Sequence, residues 1–413
     1  MTNFNKDKLS NDINVITRRN TNTPRTSINI YMKTGSKYDE LAGTANLSGR
    51  LLLQGTETKN AETIANFLDS NGIELSIEAK QDYLRARALF LNEDFDEVLD
   101  ILEDLLKYST FSDVEKEARK LEGELKLDLD SPKTQAFNNL VKNIYPNHPY
   151  GYGHTKVLED LNKINTNEIK DYYFKKSFIP ENMLISAVGD FNEKQLLKAL
   201  EAKFGKMEKA SGEKFEKNID EIPENKTVTI AKEDSAQAQI IQGWLAPSII
   251  HEDYPAFVLM NNILGASGLS SRLFVELRDK KGLAYTVRST YEPLLESGLF
   301  SIYIGTAPNN IKVSLEGFDV EIKKLQTELV SEEELAGAKN NYLGKRAFFH
   351  ETNSQQAYYL GFFESMGLGA DFDNEIVDII KKVTPQQIQD AANKYLSKNS
   401  VISILAPEKN LKY

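Results

Sequence analysis

The chain repeats itself over a distance that fits a duplicated domain. Ile169, Asp171 and Lys175 recur as Ile388, Asp390 and Lys394, each 219 positions later, and Asn182, Ile185 and Ser186 recur as Asn399, Ile402 and Ser403, 217 positions later. In both places a helical pattern runs into a short apolar strand. A repeat of about 20–50 residues indicates a solenoid, whereas one this long indicates two homologous domains. Length agrees, because one core seldom grows beyond roughly 250–300 residues and this chain has 413. The expected division is 1–206 and 227–413, joined by a charged linker with Gly and Pro at 207–226.

Within each half, strand and helix patterns mix, which predicts an α+β fold with an antiparallel-rich sheet in each domain and helices on one sheet face. INVITRR and SINIYMKTG, within 13–34, read as paired strands. ANLSGRLLLQGT, Ala45 to Thr56, reads as a helix, and Asn60 as the N-cap of the next one. QIIQGWL and GLFSIYIGT read as strands of the second half. Trp244 and the aromatics Phe348, Phe349, Tyr358, Tyr359, Phe362 and Phe363 are expected in the core.

Composition narrows the function. The net charge of −11, with no basic block, argues against a nucleic-acid binder. The absence of cysteine excludes disulfides, thiolate metal sites and a cysteine nucleophile. No apolar run is long enough to span a bilayer and the first residues lack a secretory pattern, so the cytoplasm is the expected compartment.

One stretch carries candidate chemistry: SRLFVELRDKKGLAYTVRSTY, Ser271 to Tyr291. Leu273, Phe274 and Leu277 mark a helix, Gly282 its stop, and a strand follows. Arg278 sits in the last helical turn and Tyr285 early in the strand, where a turn can bring them together. Permanent guanidinium donors and a phenolic O–H can hold a substrate carbonyl and stabilise an oxyanion. From this stretch alone, the structural reading is favoured: a cation at a helix C-terminus and a tyrosine in a strand are common without any chemistry.

At GSKYDELAGTANLSGRLLLQGT, at HPYGYGHTKVLEDLNKI, and above all at NNILGASGLSSRLFVELRDKKGLAY, the chain resembles the insulinase/pitrilysin family of zinc metallopeptidases, which includes the mitochondrial processing peptidase. The resemblance runs from about residue 13 to about 407 and retains Gly35, Ser36, Tyr38, Gly55 and Thr56. It implies two bowl-like halves around a peptidase chamber, with substrate added as a strand on a sheet edge; by position that edge lies near Gly72–Ala79. The family's metal motif is His-x-x-Glu-His on a helix, two ligands one turn apart with a carboxylate that activates water. Here those positions read Asn46, Gly49 and Arg50, so no metal is expected in this chain. Glu124, near the family's third ligand, is expected to be a solvated helix charge. His148, His154, His251 and His350 do not rebuild a site by spacing.

Some bacterial members of the family are heterodimers in which one chain carries the zinc motif and the other supplies an Arg and a Tyr. The resemblance therefore implies a non-zinc subunit, inactive alone, with zinc held by a homologous partner and peptides as substrates. Arg278 and Tyr285 are the expected catalytic and substrate-binding residues, with Gly265 and Gly268 in a chamber loop. The alternative is a non-catalytic scaffold or peptide-binding protein of the same fold.

Overall fold

A computed structural model describes residues 4–210, 212, 214–215 and 217–412. The chain forms two compact units, each drawn from three stretches. Met1–Glu124, Lys156–Glu216 and Ala347–Asp373 make the first; Leu125–Thr155, Lys217–Arg346 and Asn374–Tyr413 make the second.

The first unit holds a sheet of β1 (Asn5–Lys8), β2 (Asn14–Arg19), β3 (Arg25–Met32), β4 (Glu74–Ala79), β5 (Leu84–Leu91) and β6 (Met183–Gly189), ordered β1-β2-β6-β3-β5-β4. The second holds β7 (Lys226–Ala231), β8 (Ala238–Ala246), β9 (Ala284–Pro293), β10 (Gly298–Thr306) and β11 (Val401–Ala406), ordered β7-β11-β8-β10-β9. Apart from β1, the two orders are the same. So are the directions: β2–β6 and β7–β11 are parallel, and the remaining neighbours antiparallel. The repeat in the sequence is a repeat of topology.

Two expectations about the sheets need correction. The strands of 13–34 share a sheet but are not neighbours, because β6 lies between β2 and β3. The sequence of β6, MLISAVG, is buried at every residue, and a central position is where both faces of a strand leave water. Helices also cover both sheet faces rather than one. In the first unit the helix Asn353–Ser365 lies across β3 and β6, with Tyr31 Oη donating to Tyr358 O at 2.9 Å and Ser186 Oγ to Ala357 O at 2.7 Å. Gly361 permits this approach, since a Cβ there would stand 2.2 Å from the Tyr31 ring. In the second unit the helix Pro132–Ile144 plays the same part against β8 and β11, with Leu140 and Ile144 over Gly243.

The helix expected over Ala45 to Thr56 spans Thr44–Leu51 and ends before Gly55, whose φ of +146° breaks the helical path. Its start is fixed by Asp39, whose carboxylate accepts the N–H groups of Gly43 and Ala45, both at 2.9 Å. Asn60 caps the next helix, Ala61–Ser70, accepting the Thr63 N–H at 2.8 Å. Trp244 and Phe363 are core residues, but Phe348 and Phe349 are 72% and 47% exposed, contrary to expectation.

Candidate functional site

The segment with Arg278 and Tyr285 is built from three local devices. Leu273 and Leu277 are fully buried and anchor the helix to the second unit. Its last turns, Phe274–Lys280, are π-helical; the wider turn rotates the side chains that follow it away from α-helical positions. Gly282, at φ +62°, then stops the helix, with its N–H on Arg278 O at 3.0 Å and the Leu283 N–H on Leu277 O at 2.9 Å. The strand that follows, β9, is the outer strand of its sheet. Thr306 pairs with Ala284 and Gly305 with Thr286, so Tyr285 is the extra residue of a β-bulge. A bulge re-aims the side chain it carries, and Tyr285 is 80% exposed.

These devices bring the pair together. The Arg278 guanidinium carbon lies 5.1 Å from the Tyr285 ring centroid and 4.4 Å from that of Phe274. Cation–π attraction of about 0.5–1 kcal/mol per exposed ring holds it there without using its N–H donors. Among the described residues, the guanidinium has no carboxylate partner and makes no hydrogen bond. Several donors of one charged group and one phenol are thus presented, unspent, beside an open sheet edge. Gly265 belongs to the packing behind them: a Cβ there would lie 2.3 Å from the Ser289 backbone nitrogen on β9. It is buried, whereas Gly268, at φ +90°, is exposed, so the accessible part of the expected loop narrows to Gly268.

In the first unit the three positions of interest also converge. Asn46 and Arg50 lie one turn apart on the helix Thr44–Leu51, which packs on β4 through Gly49 against Ile77. Arg50 Nε donates to Asn46 Oδ1 at 2.8 Å, and its two terminal nitrogens donate to Glu124 Oε1 at 3.0 Å and Oε2 at 2.5 Å. The hydrogen bond to Glu124 raises the Arg50 pKa and lowers that of Glu124. Glu124 is therefore one half of a bidentate ion pair while keeping the exposure expected of a helix surface charge. The residues do not fit a metal ion: a guanidinium already occupies the space between the carboxylate and the first turn of the motif. Among the described residues, no group of three acidic or histidine side chains can hold one.

Two family models match the chain. One, described as Insulinase (Peptidase family M16), matches residues 14–156; the other, described as Peptidase M16 inactive domain, matches residues 163–342. The chain belongs to the insulinase family. A Bacillus subtilis relative named as an uncharacterized zinc protease, YmxG, is 26% identical over 97% of this chain and 98% of its own length. A Rickettsia bellii protein, also named as an uncharacterized zinc protease, is 26% identical over 98% of each chain. In fold, the chain is similar to the crystal structure of a peptidase M16 inactive domain from Pseudomonas fluorescens, with TM-score 0.91 and 22% identity over 98% of both chains. A protease from Helicobacter pylori aligns at TM-score 0.90 and 19% identity, covering 98% of this chain and 99% of its own.

Within this insulinase-family chain the histidines serve local structure. His148 is buried and accepts the Tyr150 N–H at Nδ1, 3.1 Å. His350 stacks on Tyr359 at 4.8 Å and lies 2.8 Å from Asp373. His251 accepts the Asp253 N–H at 3.0 Å, and His154 Nε2 lies 3.4 Å from Asp128. The Arg50–Glu124 pair escaped sequence reasoning, although a basic residue at a ligand position with an acidic one retained elsewhere is a recognisable form of charge compensation. No helix among the described residues is long and apolar enough to cross a membrane.

Proposed function

We propose that this chain is the non-zinc subunit of a two-chain peptidase, which assists peptide hydrolysis by a homologous zinc-bearing partner. The observation that carries the reading is the contrast between its two units. The motif helix carries a closed Arg50–Glu124 pair, while Arg278, half-buried, and Tyr285, exposed, remain stacked on each other and, among the described residues, free of competing partners. A group retained for packing would bury its ring; this one is turned outward by a bulge.

In the proposed mechanism, Arg278 and Tyr285 hydrogen-bond a substrate backbone carbonyl and strengthen their hold as charge develops on its oxygen. Phe274 and Tyr285 fix the guanidinium without neutralising it, so reorganisation during the reaction is small. The metal, its water and the general base belong to the partner, and peptides are the substrates. Gly268, left-handed and exposed, gives the loop ahead of Arg278 a shape that admits a peptide backbone.

The test is steady-state peptide cleavage by the assembled pair carrying Arg278→Ala or Tyr285→Phe. Loss of one oxyanion donor typically lowers kcat by about 100- to 1,000-fold, and each variant should approach that loss while remaining folded, with a cost in stability no larger than the lost ring stacking of about 0.5–1 kcal/mol per ring. Wild-type rates in both would leave the pair without this role, and the scaffold alternative would then stand.

A further inference from the structure

The second unit has a cavity of about 470 Å³ on the sheet face opposite the Trp244 side, under the start of the helix Pro132–Ile144. Neither Arg278 nor Tyr285 lines it, although Arg288 and Thr290 lie further along the strand that carries Tyr285. Two cations line it, Lys133 from the helix and Arg288 from β9. Among the described residues, neither has an ion-pair partner. The Lys133 ammonium sits 4.7 Å from the centroid of the Tyr303 ring, and Tyr303 is directly opposite Arg288 across the β9–β10 pair. Burial lowers the Lys133 pKa, and the Arg288 charge lowers it further, which reflects two like charges facing one space. An anion between them would relieve that repulsion.

The rest of the lining describes the anion. Thr134, Thr290 and Ser301 bring hydroxyls that, among the described residues, are not engaged by side chains or backbone. Phe137, Ile241 and Leu299 form an apolar wall, and Phe137 is 37% exposed. Two carboxylates mark the rim. Asp128 is beside His154, and Glu292 is four residues along β9 from Arg288, or roughly 13 Å at strand spacing. Among the described residues neither pairs with the cations, yet their charge makes the surroundings unfavourable for a dianion such as phosphate. A monoanion on an apolar body suits both halves. The volume lies in the range of about 300–1,000 Å³ usual for small-ligand sites, enough for the end of a peptide rather than a folded chain.

We infer that this cavity binds the C-terminal carboxylate of a peptide whose last side chain is apolar, with Lys133 and Arg288 on the carboxylate and Phe137, Ile241 and Leu299 around the side chain. The site lies outside the proposed oxyanion contacts and needs no partner chain.

The experiment is calorimetric titration of the full chain with an N-acetylated tripeptide ending in leucine, as the free acid and as the amide, with inorganic phosphate as competitor. The free acid should bind saturably. Amidation should weaken binding by about tenfold or more, as should Arg288→Gln and Lys133→Met, because each removes a charge-assisted contact. Arg288 is exposed and methionine keeps the stem of Lys133 over Tyr303, so melting temperatures should match wild type. Equal binding of acid and amide, unaltered binding by both variants, or no saturation up to about 10 mM would each overturn the site. Phosphate displacing the peptide at lower concentration than the peptide itself requires would overturn the choice of a peptide carboxylate.

Discussion

Arg50→Met removes the guanidinium from the motif helix and leaves Glu124 in place, so it isolates what the ion pair contributes. The pair is bidentate, at 3.0 and 2.5 Å, and a third bond ties Arg50 to Asn46 at 2.8 Å. Against this, the Glu124 side chain is 55% exposed and that of Arg50 28%, so water screens much of the attraction. Exposed pairs contribute about 0.2–1 kcal/mol, and fork geometry places this one near 1 kcal/mol. For units of this size that is a fall in Tm of roughly 2–4 °C. The pH dependence has a definite sign. The Glu124 pKa is lowered in the folded chain, chiefly by its bond to Arg50. The contribution is therefore fully present above the unfolded carboxyl value of about 4.3 and lost as pH falls through the lower folded value. Thermal unfolding of wild type and variant from neutral to acid pH should show a constant gap near neutrality that closes below about pH 4. Glu124→Gln should cost a similar amount, and the double variant less than the two together. A gap that persists in acid, or full additivity of the two changes, would refute the assignment of a bonded pair.

Other consequences can be checked separately. Asn46→His with Arg50→His places two imidazoles one turn apart beside the freed Glu124, and stoichiometric zinc by metal analysis is expected in that variant; wild-type-like zinc content would mean that Glu124 is not positioned as a ligand. Gly265→Ala forces a Cβ to within 2.3 Å of the Ser289 nitrogen and should cost about 1–3 kcal/mol in denaturant unfolding. Gly268→Ala has open space around it and only the φ of +90° to oppose it, so about 1 kcal/mol is expected. Tyr285→Ala should cost no more than about 1 kcal/mol, the stacking on Arg278, because the ring is otherwise 80% exposed.

What the sequence made legible was mostly local. The N-cap at Asn60, the helix stop at Gly282 and the strand GLFSIYIGT follow from short-range rules, and the structure has each of them. The duplication was legible because both copies of the helix-to-strand passage retain the same residues. Long-range pairing was not. Nothing near β2 or β3 announces that β6, which begins at Met183, will lie between them. Likewise, the helix that covers the first sheet begins at Asn353, within the second half of the sequence. The outward turn of Tyr285 depends on a bulge that exists only once β10 has paired with β9. The Arg50–Glu124 contact joins residues 74 positions apart, and helix periodicity alone made Glu124 a surface charge.

The most direct measurement is peptide cleavage by this chain and by a zinc-bearing homologue from the same cell, each alone and then mixed, with zinc determined in every sample. Cleavage should appear only in the mixture, with zinc only in the homologue, and Arg278→Ala in this chain should suppress it. Chelator-sensitive cleavage by this chain on its own would contradict the proposal outright.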